Sequence, residues 1–153
     1  MPEGEALHAE HHLEYPYSRS VGPVVGAFLT GLRDGKLYGV KGNGGSVIVP
    51  PTEYDPITGD DTGELVEVGP GGVVETWAWV SDPLPKQPLS TPFAWALIRL
   101  DGADTAILHV VDSGGPDRLA SGDRVTVRFR PEAERIGAMA DIDAFVPEGG
   151  DRP

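Results

Sequence analysis

Residues 93–113 read FAWALIRLDGADTAILHVVDS. FAWALIRLD (93–101) and TAILHVVDS (105–113) are apolar runs of strand length on either side of the tight turn GAD, which predicts a hairpin. Working toward the C-terminus, GGPDRLASGD (114–123) is a loop with room for one helical turn. RVTVRFRP (124–131) then alternates strictly, with Val125, Val127 and Phe129 on one face and Arg124, Thr126, Arg128 and Arg130 on the other. Toward the N-terminus, DPLPKQPLSTP (82–92) is a proline-rich loop too long for a simple hairpin, preceded by the strands GGVVETWAWVSD and ELVEVGP. From residue 64 onward the chain thus offers about five short strands and no regular helix. Such a pattern closes best as an OB-type barrel, because a sandwich needs more strands than are present.

Upstream, VGPVVGAFLTGLRDG (21–35) is the one convincing helix. Val24, Val25, Phe28, Leu29 and Leu32 recur at helical spacing, and Gly35 supplies the stop. KLYGVKG and SVIVPP flank NGG (43–45), which reads as a hairpin turn, and TEYDPITGDDTGE is all turn formers. Residues 1–20 form a polar arm carrying His8, His11 and His12. A solvated arm explains them more simply than a metal site. Residues 132–153 read as an acidic tail that is Gly-rich at its end.

Composition narrows the functional classes. The 153 residues contain no cysteine, which excludes disulfides and thiolate metal sites. A net charge of −12 makes the chain poorly suited to the phosphate backbone of a nucleic acid. No apolar run approaches the ~20 residues of a membrane helix. The N-terminal segment lacks the basic and apolar regions of a signal peptide, so the expected location is the cytoplasm.

No catalytic constellation emerges. His109, inside TAILHVVD, is expected to be a core or barrel-lining histidine satisfied by a backbone carbonyl. Asp60, Asp61, Glu64 and Glu67 fit turns and solvated strands better than an acid/base pair. The aromatic residues are more informative. Simple alternation puts Trp77 and Trp79 on one face with Glu75, and Phe93, Trp95 and Leu97 on one face with Arg99. The opposite faces carry smaller or branched residues (Val74, Thr76, Ala78 and Val80; Ala94, Ala96, Ile98 and Leu100), which suit a narrow barrel interior. The tryptophans are then expected outside, either covered by the helix or offered to a partner. Phe28, Trp77, Trp79, Phe93 and Trp95 are the partner-interface candidates. Arg124, Arg128 and Arg130 form a basic stripe that is either a solvated face or, with Lys86, a site for coenzyme A phosphates or a partner's acidic side chains.

Six pieces in order, GLRDGKLYG, VIVPP, DPITG, GPGGVVETW, TPFAWALIRLDG…ILHVVD and SGDRVTVRF, carry a resemblance. Across residues 22–131 the chain resembles the zinc-ribbon/OB-fold acyl-CoA-associated proteins of domain-of-unknown-function family thirty-five, partners of thiolase-like enzymes. That family's ribbon has C-x-x-C-G, then PP, then C-P-x-C-G. The resemblance places the four ligand positions on Lys41, Gly44, Asp55 and Thr58, which cannot replace thiolates around zinc. It therefore implies a degenerate, metal-free ribbon. Lys41 beside Asp55 would supply an ion pair worth only ~0–1 kcal/mol if exposed.

The expected fold is mainly β: an arm (1–20), a helix (21–35), a degenerate rubredoxin-like ribbon hairpin (36–66), a five-stranded OB-fold barrel (67–131) and a tail (132–153). The resemblance implies a non-catalytic accessory subunit in a hetero-oligomer with a thiolase or lipid-transfer-protein-type aldolase. It would bind no cofactor directly and would shape the partner's acyl-CoA site, with retro-aldol cleavage of a steroid side chain as the reaction. The alternative from another class is a stand-alone OB module for acyl-CoA or another small anion.

Overall fold

The computed structural model describes residues 7–149. Residues 1–6 of the expected arm and 150–153 of the expected tail lie outside the described residues. The rest of the arm, up to residue 20, is irregular and exposed.

Helix α1 (Pro23–Arg33) has no capping side chain of its own at Gly22. Glu53 supplies the cap from another segment: its Oε1 accepts the N–H groups of Val24 and Val25, both at 3.0 Å. A carboxylate there satisfies two of the helix's orphan donors and meets the positive end of its dipole. The helix stops at Gly35, whose φ of +73° suits a residue without a Cβ. Its apolar face buries Phe28 and Leu32 in the main core.

Strands β1 (Leu37–Lys41), β2 (Val47–Ile48) and β3 (Leu65–Val68) form a three-stranded antiparallel sheet in the order β2-β1-β3. Polar contacts fasten it to the barrel. Val47 N–H donates to Asp104 Oδ2 at 2.7 Å, and Val49 N–H to Thr105 Oγ1 at 2.7 Å.

The remaining strands, β4 (Gly71–Val80), β5 (Phe93–Leu100), β6 (Ile107–Val111), β7 (Arg124–Phe129) and β8 (Ile142–Pro147), close into one barrel in the order β4-β5-β6-β8-β7. The expected OB-type barrel is therefore present, but its membership differs from the sequence reading. β3 belongs to the separate sheet, and the fifth strand comes from residues 142–147, within the stretch read as a tail. IDAFVP is short and flanked by acidic residues, so its strand character comes from its neighbours. It pairs antiparallel with β7 and parallel with β6.

A bulge overturns a second expectation. Val74 pairs with Ile98 and Thr76 with Leu97, leaving Glu75 as an extra residue. One inserted residue reverses the faces beyond it. Trp77 and Trp79 therefore lie opposite the buried Ala96 and Ala94 and pack against the main core, while Thr76 and Ala78 are exposed. The tryptophans expected outside are inner-face residues. Earlier in the same strand, a Cβ on Gly72 would stand 2.7 Å from the Arg99 carbonyl oxygen, so β4 and β5 approach too closely there for a side chain. A second, smaller core of Phe93, Val110 and Ala144 is packed by Val80, Leu89 and Trp95.

Arginines tie the barrel's ends together. Arg124 donates two hydrogen bonds to Asp101, at 2.9 and 2.6 Å, and one from Nε to Glu148 at 2.9 Å. Asp101 is held below the usual carboxylate range by that hydrogen bonding, and Arg124 is pushed further up by the same contacts. Arg128 donates from Nε to Asp143 at 2.7 Å and from Nη2 to Asp112 at 3.0 Å. Partial burial alone would lower the Arg128 pKa, but its two carboxylates raise it.

Arg128→Ala is expected to destabilise the chain by about 1–2 kcal/mol in denaturant titration, a modest figure because the pair is partly exposed. Arg128→Lys should recover only part of the loss, since an ammonium lacks the planar fork. Arg99→Ala, which breaks an exposed 3.3 Å pair with Glu75, should change stability by less than about 1 kcal/mol.

Candidate functional site

A cleft of about 470 Å³ opens between the proline-rich loop, β5, β6 and the segment leading into β8. Lys86 stands on the loop, Trp95 on β5, His109 on β6 and Arg130 just after β7; Met139 and Asp143 complete the far wall. The cleft has a mixed character, with an aromatic wall, a thioether and two cations. Ligand sites of this size commonly combine an apolar lining with a few placed polar groups.

His109 is 8% exposed. Its Nδ1 accepts the Val110 N–H at 2.8 Å, and the ring also bonds to the Met139 backbone. Burial pushes its pKa below the usual histidine value, and the bond to the Met139 backbone only partly opposes the shift. With Nδ1 accepting, the proton of the neutral ring sits on Nε2 and is donated to the Met139 carbonyl. The ring packs edge-on against Phe145 at 5.7 Å. His109 is thus the satisfied histidine that the sequence suggests, and it fixes the turn carrying Met139.

The four basic candidates separate into two pairs. Arg124 and Arg128 are committed to the carboxylates described above. Lys86 and Arg130 make no ion pair among the described residues, and both line the cleft. Asp143, the acidic residue in the wall, is bound by Arg128.

The aromatic candidates separate too. Phe28 and Phe93 are buried within this chain, so they are not available to a partner, which corrects their assignment as interface residues. Trp77 and Trp79 are half-buried against the main core. Trp95, edge-on to Phe93 at 5.6 Å, reaches the cleft. Strand periodicity fails to single out Leu97 and Leu108. They face each other across β5 and β6 and are 37% and 57% exposed. An apolar residue left unpaired by the barrel interior on two neighbouring strands is the signal that would have found them.

Of the four positions where the resemblance puts metal ligands, Lys41 bonds to Glu64 at 3.1 Å rather than to Asp55, which corrects the expected ion pair. Gly44 has a φ of +113° and no neighbour around a Cβ position. Asp55 is buried and joins two loops. Its Oδ1 accepts from Ile57 N–H at 2.8 Å and Thr58 N–H at 3.3 Å, and its Oδ2 from Asn43 N–H at 2.8 Å. The bond from Ile57 leads in holding its pKa below the usual value, against the opposing effect of burial. These residues do not fit zinc: one carboxylate, a glycine, a lysine and a threonine supply no tetrahedral donor set. No group of three or more histidine, cysteine or acidic side chains in metal-binding geometry occurs among the described residues. Of the other carboxylates on these turns and strands, Glu64 meets Lys41, Glu67 lies near Lys36, and Asp60 accepts from Asn43.

A closed five-stranded barrel in this strand order, carrying its cleft beside a long loop, defines an OB-fold protein. Residues 65–130 match the family model described as ChsH2, C-terminal OB-fold domain. Two solved structures share the fold. One, described as the Ltp2-ChsH2(DUF35) aldolase, is 18% identical, with a TM-score of 0.61 over 85% of this chain and 98% of that one. The other is a DUF35-family protein of unknown function from Sulfolobus solfataricus, 22% identical, with a TM-score of 0.56 over 69% of this chain and 78% of that one. No curated protein matches the chain at a significant level. No helix among the described residues is long and apolar enough to cross a membrane.

Asp55→Asn is expected to lower the melting temperature by several degrees at pH 7, because an amide presents only one oxygen to three N–H donors. Asp55's contribution is present above its unfolded pKa near 3.8 and is lost as pH falls through the lower folded value. The gap between the two proteins should therefore close in thermal melts below about pH 4. For His109 the folded pKa is also depressed, so its stabilising effect is complete above about 6.5 and is lost as pH falls through the folded value. The stability lost between about pH 7 and 5 should shrink in His109→Gln.

Proposed function

We propose that this chain is a non-catalytic subunit of an acyl-CoA aldolase complex. It docks on a thiolase-superfamily enzyme, of the thiolase or lipid-transfer-protein aldolase kind, and shapes the channel that holds the acyl-CoA thioester. Retro-aldol cleavage of a steroid side chain, in the cytoplasm, is the reaction this reading favours. The observation that carries it is the fold likeness to a chain of the Ltp2-ChsH2(DUF35) aldolase, which extends over 98% of that chain rather than over the barrel alone.

The chain's surface is consistent with this reading. Among the described residues, the buried polar groups are occupied in tying the fold together, and no nucleophile and base lie in hydrogen-bond reach of one another. Leu97 and Leu108 form an apolar pair on the outer side of the barrel, and pairs of this kind suit the desolvated centre of a protein interface.

Affinity purification of the chain from cells producing it at native level, followed by mass spectrometry, should recover a thiolase-like enzyme in stoichiometric amount. Recovery of no such enzyme would overturn the proposal. Leu97→Glu with Leu108→Glu should reduce that recovery at least tenfold, since charges in the core of an interface oppose docking, while leaving the melting temperature within a few degrees.

A further inference from the structure

Two cations in this strongly acidic chain face the same cavity without an ion pair among the described residues. Elsewhere in the described structure the basic residues are mostly engaged. Arg33, Lys36, Lys41, Arg99, Arg124 and Arg128 each meet an acidic side chain within 4.0 Å. Arg135 bonds to the Arg130 carbonyl at 2.7 Å and lies over the Phe129 ring. Arg118 is engaged within the chain and Arg19 lies on the exposed N-terminal arm, whereas Lys86 and Arg130 come to the cleft from segments 44 positions apart.

The backbone adds an independent observation. Lys86 has a φ of +73° and is the single non-glycine residue with positive φ among the described residues. A lysine in the left-handed region is unfavourable in itself, and such residues cluster at functional sites. Gln87 holds the loop in this shape by accepting the Leu84 N–H through its side-chain oxygen at 2.9 Å.

Nearby acids do not cancel this charge. Asp143 is bound by Arg128. Asp141 lies close enough to Arg130 to feel its charge, but its oxygens accept the N–H groups of Ile136, Gly137 and Ala138 at 2.9, 2.6 and 3.2 Å. His109 is neutral, with both ring nitrogens committed within the chain.

We infer that the cleft between the proline-rich loop and the β7–β8 connection is a binding site for a phosphate ester of nucleotide size, with Lys86 and Arg130 on the phosphate and Trp95 and Met139 against the flat or apolar body. Arginine offers a planar fork and lysine a mobile point charge, a combination suited to a multiply charged phosphate group. Trp95 provides a face for a planar ring, and the Met139 thioether adapts to its outline. A volume of about 470 Å³ falls in the range of small-molecule sites. This site belongs to the chain itself and does not depend on a partner enzyme.

The test is calorimetric titration of the full chain at low salt with inorganic phosphate, pyrophosphate, ADP and adenosine. ADP is expected to bind saturably, pyrophosphate more weakly, and adenosine at least tenfold more weakly than ADP. Arg130→Gln and Lys86→Gln should each weaken ADP at least about fivefold with unchanged melting temperatures, whereas Arg99→Gln should have no effect. Tighter binding of phosphate or pyrophosphate than of ADP would overturn the role given to Trp95 and Met139. Absence of saturable binding by every phosphate probe, or binding indifferent to both substitutions, would overturn the site. Loss of the co-purifying enzyme in the two variants, without ADP binding in the wild type, would assign the cations to a partner's acidic surface instead and equally overturn it. Retained enzyme capture with lost ADP binding would support the site separately from the subunit role.

Discussion

The barrel depends on one weak seam and the arginine that spans it. β6 and β8 run parallel, and their ladder has a single register pair, Val111 with Phe145, followed by the Asp112 N–H to Phe145 carbonyl bond at 2.8 Å. β4 and β5, by contrast, stay in register along most of their length. So short a parallel contact contributes little on its own. Arg128 on β7 reaches Asp143 on β8 and Asp112 at the end of β6, drawing three strands together around a charge with two partners. Phe145 and Ile142, buried on β8, then complete a core that four strands would leave open. The stripe of arginines on β7 is therefore largely an internal fastening, and that explains why a chain of −12 net charge keeps cations on this strand.

The sequence made some of this visible and hid the rest for physical reasons. β5, its tight turn and β6 were legible because two apolar runs flank a short polar break, and β7 because its alternation is uninterrupted. The helix was legible from its stripe, but not its cap, since Glu53 comes from 29 positions downstream of Val24. β8 was hidden because IDAFVP has strand character only when β7 and β6 are already beside it. The bulge at Glu75 was hidden for a different reason. Period-two reading assumes an unbroken ladder, and a single extra residue moves Trp77 and Trp79 to the inner face. Half of the cleft was hidden with β8, since Met139 and Asp143 lie on or beside the strand that was missed. Lys86 and Arg130 could be named from sequence as cations, but only the fold separates them from Arg124 and Arg128.

Asp55 shows how the loops beside β1 and β2 hold together in a chain without cysteine. A carboxylate with three N–H donors joins the Asn43 turn to the Ile57–Thr58 turn, a short-range link made of ordinary hydrogen bonds. Thr62 adds a second link by donating to the Thr52 carbonyl at 2.7 Å, and Lys41 exchanges backbone bonds with Gly63 and Glu64. Each bond adds little alone. Together they give the segment a defined shape from the pairing of turns, since β2 contributes only two residues to the sheet.

The same arrangement recurs throughout the molecule: a polar side chain from one segment satisfies the exposed backbone or charge of another. Glu53 does this for the helix start, Asp104 and Thr105 for β2, Asp55 for the two turns, and Arg124 and Arg128 for the barrel's rim and seam. Because these side chains are occupied, their charge is not available for chemistry at the surface. Among the groups left uncommitted in the described residues are the apolar pair Leu97 and Leu108 on the outer side of the barrel and the cations Lys86 and Arg130 facing the cleft. A fold that uses many of its polar groups as fastenings is a stable platform for recognition. The subunit reading draws on the apolar pair and the anion-site reading on the cleft, and the two features adjoin at Leu108, which also lines the cleft.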